Sequence, residues 1–508
     1  MNVRRSLTAL VAAGSLMTLA GCGVIGATAS SYAVTPQGLE VREQELRSML
    51  PYAGRDSAAR VVPPDLAPRD ALLRALYDGT WAYYAGEWDR ASAGFVAAAD
   101  LAEDRYTKSI TQNAAALLTN DRALSYTPGH TERLLTHYYG ALAFIGKGDT
   151  ESAAVEARRL GAMLEKLAPE SSDRDRSLRA VLRLVSGAVF EAAGEANDAD
   201  VSYRNARALL GADSLQLPGR TAIPADSGDV LVLVETGWVA HKVAQELVIP
   251  VYGSEARAFS DSGNAAARLG VAATLAGRTV LLMAARPDQG IWWVDGQPMV
   301  VNSWGGVGVA RPLDKDGYML KLSWPVMRRS SAARSALTAV ASSPSPGMLG
   351  GLLGSTTSGV VADLNDAAAA DLSRDRNAIL TRTIVRQAVK FAAVQAGEAK
   401  ATKKWGDLTG SIVGGLLNAA GAALERADTR GWWLLPAGIS AVRVRLPVGE
   451  QPIAAAVGIG GRDLGSVTVR PGRLTVVSRR IWSGQAAALP TPATLPAGPS
   501  AETALRDR

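Results

Sequence analysis

The sequence predicts an α+β fold, in which helices fill the first half of the chain and strands fill most of the second half. Between residues 69 and 215, apolar residues recur at the three- and four-residue intervals of helices with one buried face. From residue 228 onward, the pattern changes to short apolar or alternating runs such as DVLVLVETG and ISAVRVRLP, which are typical of strands. The composition is that of a folded protein, since 47% of the 508 residues are hydrophobic and 20% are charged.

Three motifs in the helical half share one residue spacing around a glycine. The glycines are Gly86, Gly148 and Gly194, each at a turn between two helical runs. The shared positions around them are Gly79, Ala91, Phe95, Ala141, Ala153, Gly187, Ala199 and Tyr203. This spacing resembles the tetratricopeptide repeat, a helix, a turn and a second helix, in which small residues let the helices approach closely. The glycines are 62 and 46 residues apart, whereas tandem repeats recur every 34 residues or so, so the sequence predicts insertions between the helix pairs.

The beginning of the chain resembles a bacterial lipoprotein signal. Arg4 and Arg5 precede an apolar run, and the run ends in LAGC at Cys22, the single cysteine of the chain. The resemblance implies that residues 1–21 are removed and that Cys22 carries acyl chains such as palmitate, of which two or more anchor a protein stably. The alternatives are a secretory signal with an incidental cysteine and a free buried thiol. Gly23 follows without an acidic residue, which resembles lipoproteins of the outer membrane in cells that have one.

The remaining chain divides by composition. The predicted regions are a flexible tether over residues 22–68, a helical domain over 69–215, a mixed strand-rich region over 228–342, long helices over 360–426, a C-terminal β module over 430–484 and a disordered Pro/Ala-rich tail over 485–508. Lipid is the predicted membrane attachment, because no later apolar run reaches the length of a membrane span.

The predicted strands include two hairpins. Asp295 and Gly296 separate two apolar runs, which is a strong short-range hairpin signal. The turn at Pro471 and Gly472 predicts that RLTVVS pairs back on GSVTV.

One strand of the C-terminal module is predicted to be half buried. Alternation places the side chains of Val442, Val444 and Leu446 on one face and those of Arg443 and Arg445 on the other. The expected cover for the apolar face is a helix ending at residue 425 together with Trp432 and Trp433.

No catalytic, cofactor-binding or metal-binding set stands out. The histidines are His130, His137 and His241, and neither an HExxH motif nor paired cysteines occur. The glycine-rich stretches GGVGVAR and GIGGRDLG lack the helix or lysine of nucleotide-binding loops, and no serine lies in a GxSxG motif. The formal net charge of +6 is mild and no basic stripe with aromatic residues occurs, which argues against nucleic acid as a partner.

Two charged features have alternative interpretations. Arg382, Arg386 and Lys390 recur every four residues on one helix face, which predicts either a solvated or salt-bridged face or a contact for acidic envelope material. Glu235 and Lys242 flank a turn after a strand, where functional sites often lie, but a structural ion pair between them is the simpler interpretation.

Four stretches together resemble an uncharacterised family of bacterial lipoproteins with a tetratricopeptide-like first half and a mixed second half. They are TERLLTHYYGALAFIGKGDTESAAVEARRL, VLVLVETGWVAHK, DLSRDRNAILTRTIVRQAVK and ERADTRGWWLLPAGISAVRVRLPVGE. The chain departs from the expected pattern at Val239, Ala240 and His241, where a proline is expected before Lys242. The resemblance implies a setting in the envelope, near activators of peptidoglycan synthases, and carries no established activity.

The function predicted from the sequence is that of an acyl-anchored envelope lipoprotein, without cofactor, that binds or scaffolds an envelope protein in its helical groove. The alternative is a wall-modifying enzyme with its site in the middle region. A pair of carboxylates within about 10 Å of each other in a deep cleft favours the enzyme. A shallow groove lined by helices favours the binding protein.

Overall fold

The computed structural model describes residues 67–116, 122, 124–211, 220, 222–251, 292–294, 297–299, 318–329, 337–341, 360–405, 426–457, 460–482 and 485–486. These residues form the predicted α+β fold, with helices first and strands mostly after them. Cys22, the signal, most of the tether, the predicted helix ending at residue 425 and the tail beyond residue 486 lie outside the described residues.

The first half consists of helical hairpins. The helices are α1 (Ala71–Ala85), α2 (Trp88–Ala116), α3 (His130–Lys147), α4 (Thr150–Lys166), α5 (Arg176–Ala192) and α6 (Ala196–Leu210). Gly86, Gly148 and Gly194 lie at the turns within the three pairs with φ of 76°, 87° and 83°, a conformation that glycine adopts without steric cost. This confirms the predicted helix pairs and their turns.

Close approach within the hairpins follows from the small residues. A Cβ atom on Gly187 would lie 2.7 Å from ring carbons of Tyr203, and one on Gly79 would lie 3.3 Å from the Phe95 ring. Ala91, Ala153 and Ala199 are buried, as are Ala141 and both aromatic residues. The repeat positions therefore form the contact between the two helices of each pair.

A five-stranded sheet packs against these hairpins. Its strands lie in the order β12-β11-β1-β8-β7. They are β1 (Ser227–Thr236), β7 (Val360–Asp363), β8 (Gly438–Pro447), β11 (Leu474–Trp482) and β12 (Gln485–Ala486). β1 pairs with β11 in parallel and with β8 in antiparallel orientation. The predicted C-terminal module thus shares its sheet with a strand of the middle region, and the first residues assigned to the tail form β12.

The other strands form smaller sheets. They are β2 (His241–Val251), β3 (Trp292–Val294), β4 (Gln297–Met299), β5 (Tyr318–Arg328), β6 (Leu337–Ala341), β9 (Gly449–Val457) and β10 (Gly460–Val469). β2 pairs with β5, β9 lies between β10 and β6, and β3 pairs with β4. The pairing of β3 with β4 agrees with the hairpin predicted at Asp295 and Gly296, which lie outside the described residues.

The predicted hairpin between β10 and β11 is wrong. The turn at Gly472 exists, with φ of 65°, but β10 pairs with β9 while β11 pairs with β1 and β12. The turn also donates a hydrogen bond from Gly472 N to Ser227 O at 2.9 Å. The apolar strand β1 is buried on both faces and pairs with β11 on one edge, so the chain passes from one sheet to the other at this turn.

The faces of β8 are as predicted, but their surroundings are not. Val442, Val444 and Leu446 are buried, and they pack in one cluster with apolar residues of β9 and β10, which provide the cover expected from a helix and two tryptophans. The Arg443 side chain, on the opposite face, is only 6% exposed because the helices cover that face. β8 is therefore buried on both sides at this point.

A long helix, α7 (Leu364–Trp405), follows β7. The sequence predicts a helix over residues 361–398, whereas residues up to 363 belong to β7. Asp363 Oδ1 accepts hydrogen bonds from the backbone N of Asn365 at 2.8 Å and of Asp366 at 3.1 Å, which explains why the helix starts there. Within the described residues, every helix is too short or too polar to cross a membrane.

Candidate functional site

A cleft of about 250 Å³ lies where the helical half, the β2–β5 ribbon and α7 meet. Its wall includes residues from each of these elements and from residues 428–435, which we term the inner segment. Representative lining residues are Glu132, Lys242, Met327, Asp371, Arg382 and Trp433.

Arg430 fixes the inner segment to the start of the helical half. Its side chain is buried and forms ion pairs with Asp428 at 2.6 Å and with Asp70 at 2.5 Å. It also donates to Leu124 O at 2.9 Å and lies over the Tyr126 ring. Burial acts to raise the pKa of Asp428, but the hydrogen bonds and charge of Arg430, with a smaller contribution from Lys242, lower this pKa below its usual value.

Glu132 joins the same segment to the beginning of α3. Its carboxylate accepts hydrogen bonds from Trp432 N at 2.9 Å, from Gly129 N at 3.3 Å and from the Tyr126 hydroxyl. Burial, with the charge of Glu132, raises the pKa of Tyr126 well above its usual value. Both oxygens of Glu132 are therefore engaged by donors of the protein.

Trp432 enters the core of the helical half. Its indole Nε1 donates to Thr80 Oγ1 at 2.8 Å, and its ring lies near those of Phe95 and Tyr139. Tyr77 Oη donates to Gly431 O at 2.9 Å. The inner side of the first two hairpins, where a partner segment was expected from the sequence, is thus filled by the chain's own inner segment.

Asp371 connects α7 to the beginning of α3. Its Oδ2 accepts a hydrogen bond from Thr131 N at 2.8 Å, and its Oδ1 accepts one from Arg374. A Cβ atom on residue 129 would lie 2.7 Å from Asp371 Oδ2, so Gly129 makes this approach feasible. Burial raises the pKa of Asp371, against the effect of Thr131 and Arg374. Arg374 also pairs with Asp175 at 2.6 Å, which fastens α7 to the third hairpin.

The basic stripe on α7 divides between two environments. Arg382 lines the cleft, whereas Arg386 is 0% exposed, and the side chain of Lys390 lies outside the described residues. Of the predicted alternatives, the solvated face is therefore wrong for Arg386. Four residues advance the helix face by about 40°, so successive positions of the stripe turn away from the cleft, and Thr383 and Gln387 are buried beside Arg386.

The predicted ion pair between Glu235 and Lys242 is also wrong. Glu235 is fully buried, with its carboxylate 3.8 Å from Arg480 and 3.3 Å from Tyr84 Oη. Glu235 and Arg480 are opposite each other in the β1–β11 register. Burial raises the pKa of Glu235, although Arg480 acts in the opposite direction. Lys242 instead lines the cleft.

The histidines occupy separate positions. His130 begins α3, His241 is buried in the cleft wall, and His137 Nδ1 lies 2.7 Å from Glu156 Oε2 between α3 and α4. Within the described part of the chain, no group of three or more His, Cys, Asp or Glu residues is arranged to hold a metal ion.

The sequence did not identify the inner segment as part of a site. Its signal was the run DTRGWWLL, with two adjacent tryptophans, an aspartate and an arginine. The tryptophans were expected to cover a sheet. The contacts of Trp432 with residues 300 or more positions earlier cannot be predicted from a local sequence pattern.

Comparisons of the chain with protein-family models, with curated proteins and with solved structures find no match. The lipoprotein family suggested by the sequence therefore stays a prediction.

Proposed function

We propose that the protein is an acyl-anchored lipoprotein of the bacterial cell envelope that binds a segment of a partner protein in the cleft. The partner is placed in the cleft and not in the helical groove because the inner segment already fills the groove. Trp432 and Tyr77 occupy the groove side of the hairpins. The cleft combines apolar walls with a few polar groups, which is the usual character of ligand sites.

The state of the cleft carboxylates favours binding over catalysis. Glu132, Asp371 and Asp428 each accept hydrogen bonds from the protein itself. A general acid or base must instead reach the substrate with a free oxygen. These three groups are best explained as supports that hold the cleft wall in place.

One observation favours the alternative of a wall-modifying hydrolase. Asp371 and Asp375 both line the cleft and stand four residues apart on α7, which places their Cβ atoms about 5–6 Å apart. The hydrolase requires that Asp375→Asn abolish release of soluble fragments from purified cell wall. The hydrolase is contradicted if the wild type and Asp375→Asn release fragments equally, or if neither protein releases any.

The binding proposal is tested by photocrosslinking in intact cells. A photoreactive residue at Leu372 or Met327, in the cleft wall, is expected to capture one discrete partner. The matched control is the same residue at Arg207, which is exposed on α6. Equal capture from all three positions, or none from the cleft, contradicts the proposal.

The anchor is tested separately. Cys22→Ala removes the only thiol of the chain, and we expect the variant to leave the membrane fraction because no acyl chains can be attached. Intact mass of the wild-type mature protein is expected to show the added acyl groups at residue 22. A bare N-terminus on the wild-type protein contradicts the anchor.

A further inference from the structure

The hydrogen-bonding groups of the cleft wall are unequally used. The acceptors Glu132, Asp371 and Asp428 are engaged by Trp432 N, by Thr131 N and by Arg430. Asp375 is exposed. Three of the four carboxylates that line the cleft therefore offer a ligand little that the protein has not already taken, and the fourth, Asp375, lies at its exposed side.

One donor of the cleft wall presents the opposite case. The indole Nε1 of Trp433 is buried and has no hydrogen-bond partner among the described residues. Buried donors of this kind are normally satisfied. The ring is held edge-on by Tyr77, with centroids 6.5 Å apart, so the donor has a defined position. Lys242 adds an ammonium group to the wall and Arg382 a guanidinium.

The apolar part of the wall limits what can enter. Pro325 and Met327 of β5 and Leu372 and Ile379 of α7 contribute to it. The volume of about 250 Å³ is below the roughly 300–1,000 Å³ of sites that enclose drug-sized ligands. It suits one side chain and the group next to it, not a complete large ligand.

From these features we infer that the cleft binds the free carboxyl end of a peptide whose last side chain is apolar. The carboxylate accepts from Trp433 and faces Lys242, while the side chain contacts the apolar wall. Capture of a terminal carboxylate is a known mode of peptide recognition. This inference rests on the proposed function and names the part of the partner that is bound.

The test uses the full mature chain in detergent and two probes, N-acetyl-Ala-Ala-Leu with a free carboxylate and the same peptide as its C-terminal amide. Titration calorimetry is expected to show the acid binding about tenfold or more tightly than the amide, since a hydrogen bond to a charged group contributes about 1.5–3 kcal/mol. Added salt is expected to weaken binding of the acid more than that of the amide.

Variants locate the carboxylate. Lys242→Gln is expected to reduce the affinity for the acid towards that for the amide. Trp433→Phe, which keeps an aromatic ring but lacks the indole N–H, is expected to reduce the affinity for the acid about two- to tenfold. Arg207→Gln on α6 is the matched charge control and is expected to bind like the wild type.

Several results overturn the inference. They are equal affinity for acid and amide, no binding of either, or unchanged affinity in both cleft variants. A further result also overturns it: the protein binds phosphatidylglycerol vesicles and not the peptides, and the cleft variants weaken the vesicle binding. The ligand of the cleft is then a lipid headgroup and not a peptide. If Leu372 still captures a partner in cells while acid and amide bind equally, the proposed function stands and only the carboxylate is wrong. If neither Leu372 nor Met327 captures a partner, the proposed function itself fails.

Discussion

Single residues differ in how far the sequence reveals their surroundings. The contact of Gly187 with Tyr203 is predictable because both belong to one hairpin with a repeated spacing. The contact of Glu235 with Arg480 is not, because it depends on a parallel strand pair formed by distant parts of the chain. The apparent partner, Lys242, was nearer in sequence and points to the cleft wall instead.

The first prediction concerns Gly187→Ala. The added methyl would lie 2.7 Å from the Tyr203 ring, and such overpacking costs about 1–3 kcal/mol. Because residue 187 is also helical, the helix preference of alanine offsets about 0.8–1.0 kcal/mol of this cost, and we expect the free energy of unfolding in urea to fall by up to about 2 kcal/mol. Gly161→Ala is the control, because its Cβ would meet only Arg183 Nη1 at 3.6 Å, and alanine favours a helix by about 0.8–1.0 kcal/mol over glycine. Equal losses in the two variants contradict the close contact.

The second prediction concerns the pH dependence that Glu235 contributes. Burial raises its pKa above the ordinary value of 4.5, so the folded protein favours the protonated form. The stability from this group is then fully present below pH 4.5 and is lost as the pH rises through the folded-state pKa. We expect the unfolding free energy of the wild type, minus that of Glu235→Gln, to decrease as the pH is raised from 4 to 8.

Glu235→Gln also removes the ion-pair partner of Arg480, which changes the unfolding free energy by an amount that does not depend on pH. This amount does not affect the slope of the difference against pH. Urea denaturation of both proteins at several pH values measures this slope. A difference that increases with pH shows that Arg480 outweighs burial and lowers the pKa of Glu235, and a flat difference shows that the two effects cancel. Either result contradicts the prediction.

At the scale of elements, local patterns predict the helices and most strands, while strand partners follow from the whole sheet. The helical hairpins are formed by neighbours in sequence, and their turns need glycine. The partner of β11 is β1 and not the adjacent β10, since an apolar strand that is buried on both faces requires neighbours on both edges. Alternation identifies the two faces of β8 but not what covers each face.

The third prediction tests the covered face of β8. Arg443 is 6% exposed and pairs with Glu191 at 2.8 Å and with Asp229 at 2.7 Å. Arg443→Gln leaves the buried Glu191 without its cation and leaves Asp229 with Arg445 alone, and breaking a buried pair in this way typically costs about 3–5 kcal/mol. Arg445→Gln is the control, since the Arg445 side chain is 39% exposed and Asp229 keeps its pair with Arg443; we expect this variant to lose about 0–1 kcal/mol, as for exposed cations.

Thermal and urea unfolding of both variants measure the difference. Similar small decreases in unfolding free energy for Arg443→Gln and Arg445→Gln would support the half-buried β8 strand that the sequence predicts. A loss for Arg443→Gln comparable to that for Val444→Asp supports a strand that is buried on both faces.

At the scale of the whole molecule, the predicted regions share one core. A single apolar cluster contains residues of the first hairpins, such as Tyr77 and Leu135, together with Leu233 of β1, Trp432 and Val476 of β11. Composition divides the chain at residues 215 and 430 but does not show that these pieces bury the same surface. The cleft also forms where these regions pack together, since its wall comes from the helical half, β2, β5, α7 and the inner segment.

The last prediction is that this shared core unfolds as one unit, with Trp432 holding its parts together. Trp432 is fully buried among Thr80, Phe95 and Tyr139, and truncation of a buried tryptophan costs about 3–5 kcal/mol. Because its neighbours are in the helices, we expect Trp432→Ala to lower the urea midpoint measured by far-ultraviolet circular dichroism, which reports the helices. Trp433→Ala, at the partly exposed cleft wall, is the adjacent control and is expected to lower the midpoint less. Fluorescence of the remaining tryptophans is expected to change at the same midpoint as the dichroism in each protein, because a common core leaves no half that can unfold alone. A helical transition that Trp432→Ala leaves unmoved would mean that the helices form an independent domain and that the inner segment only rests on it.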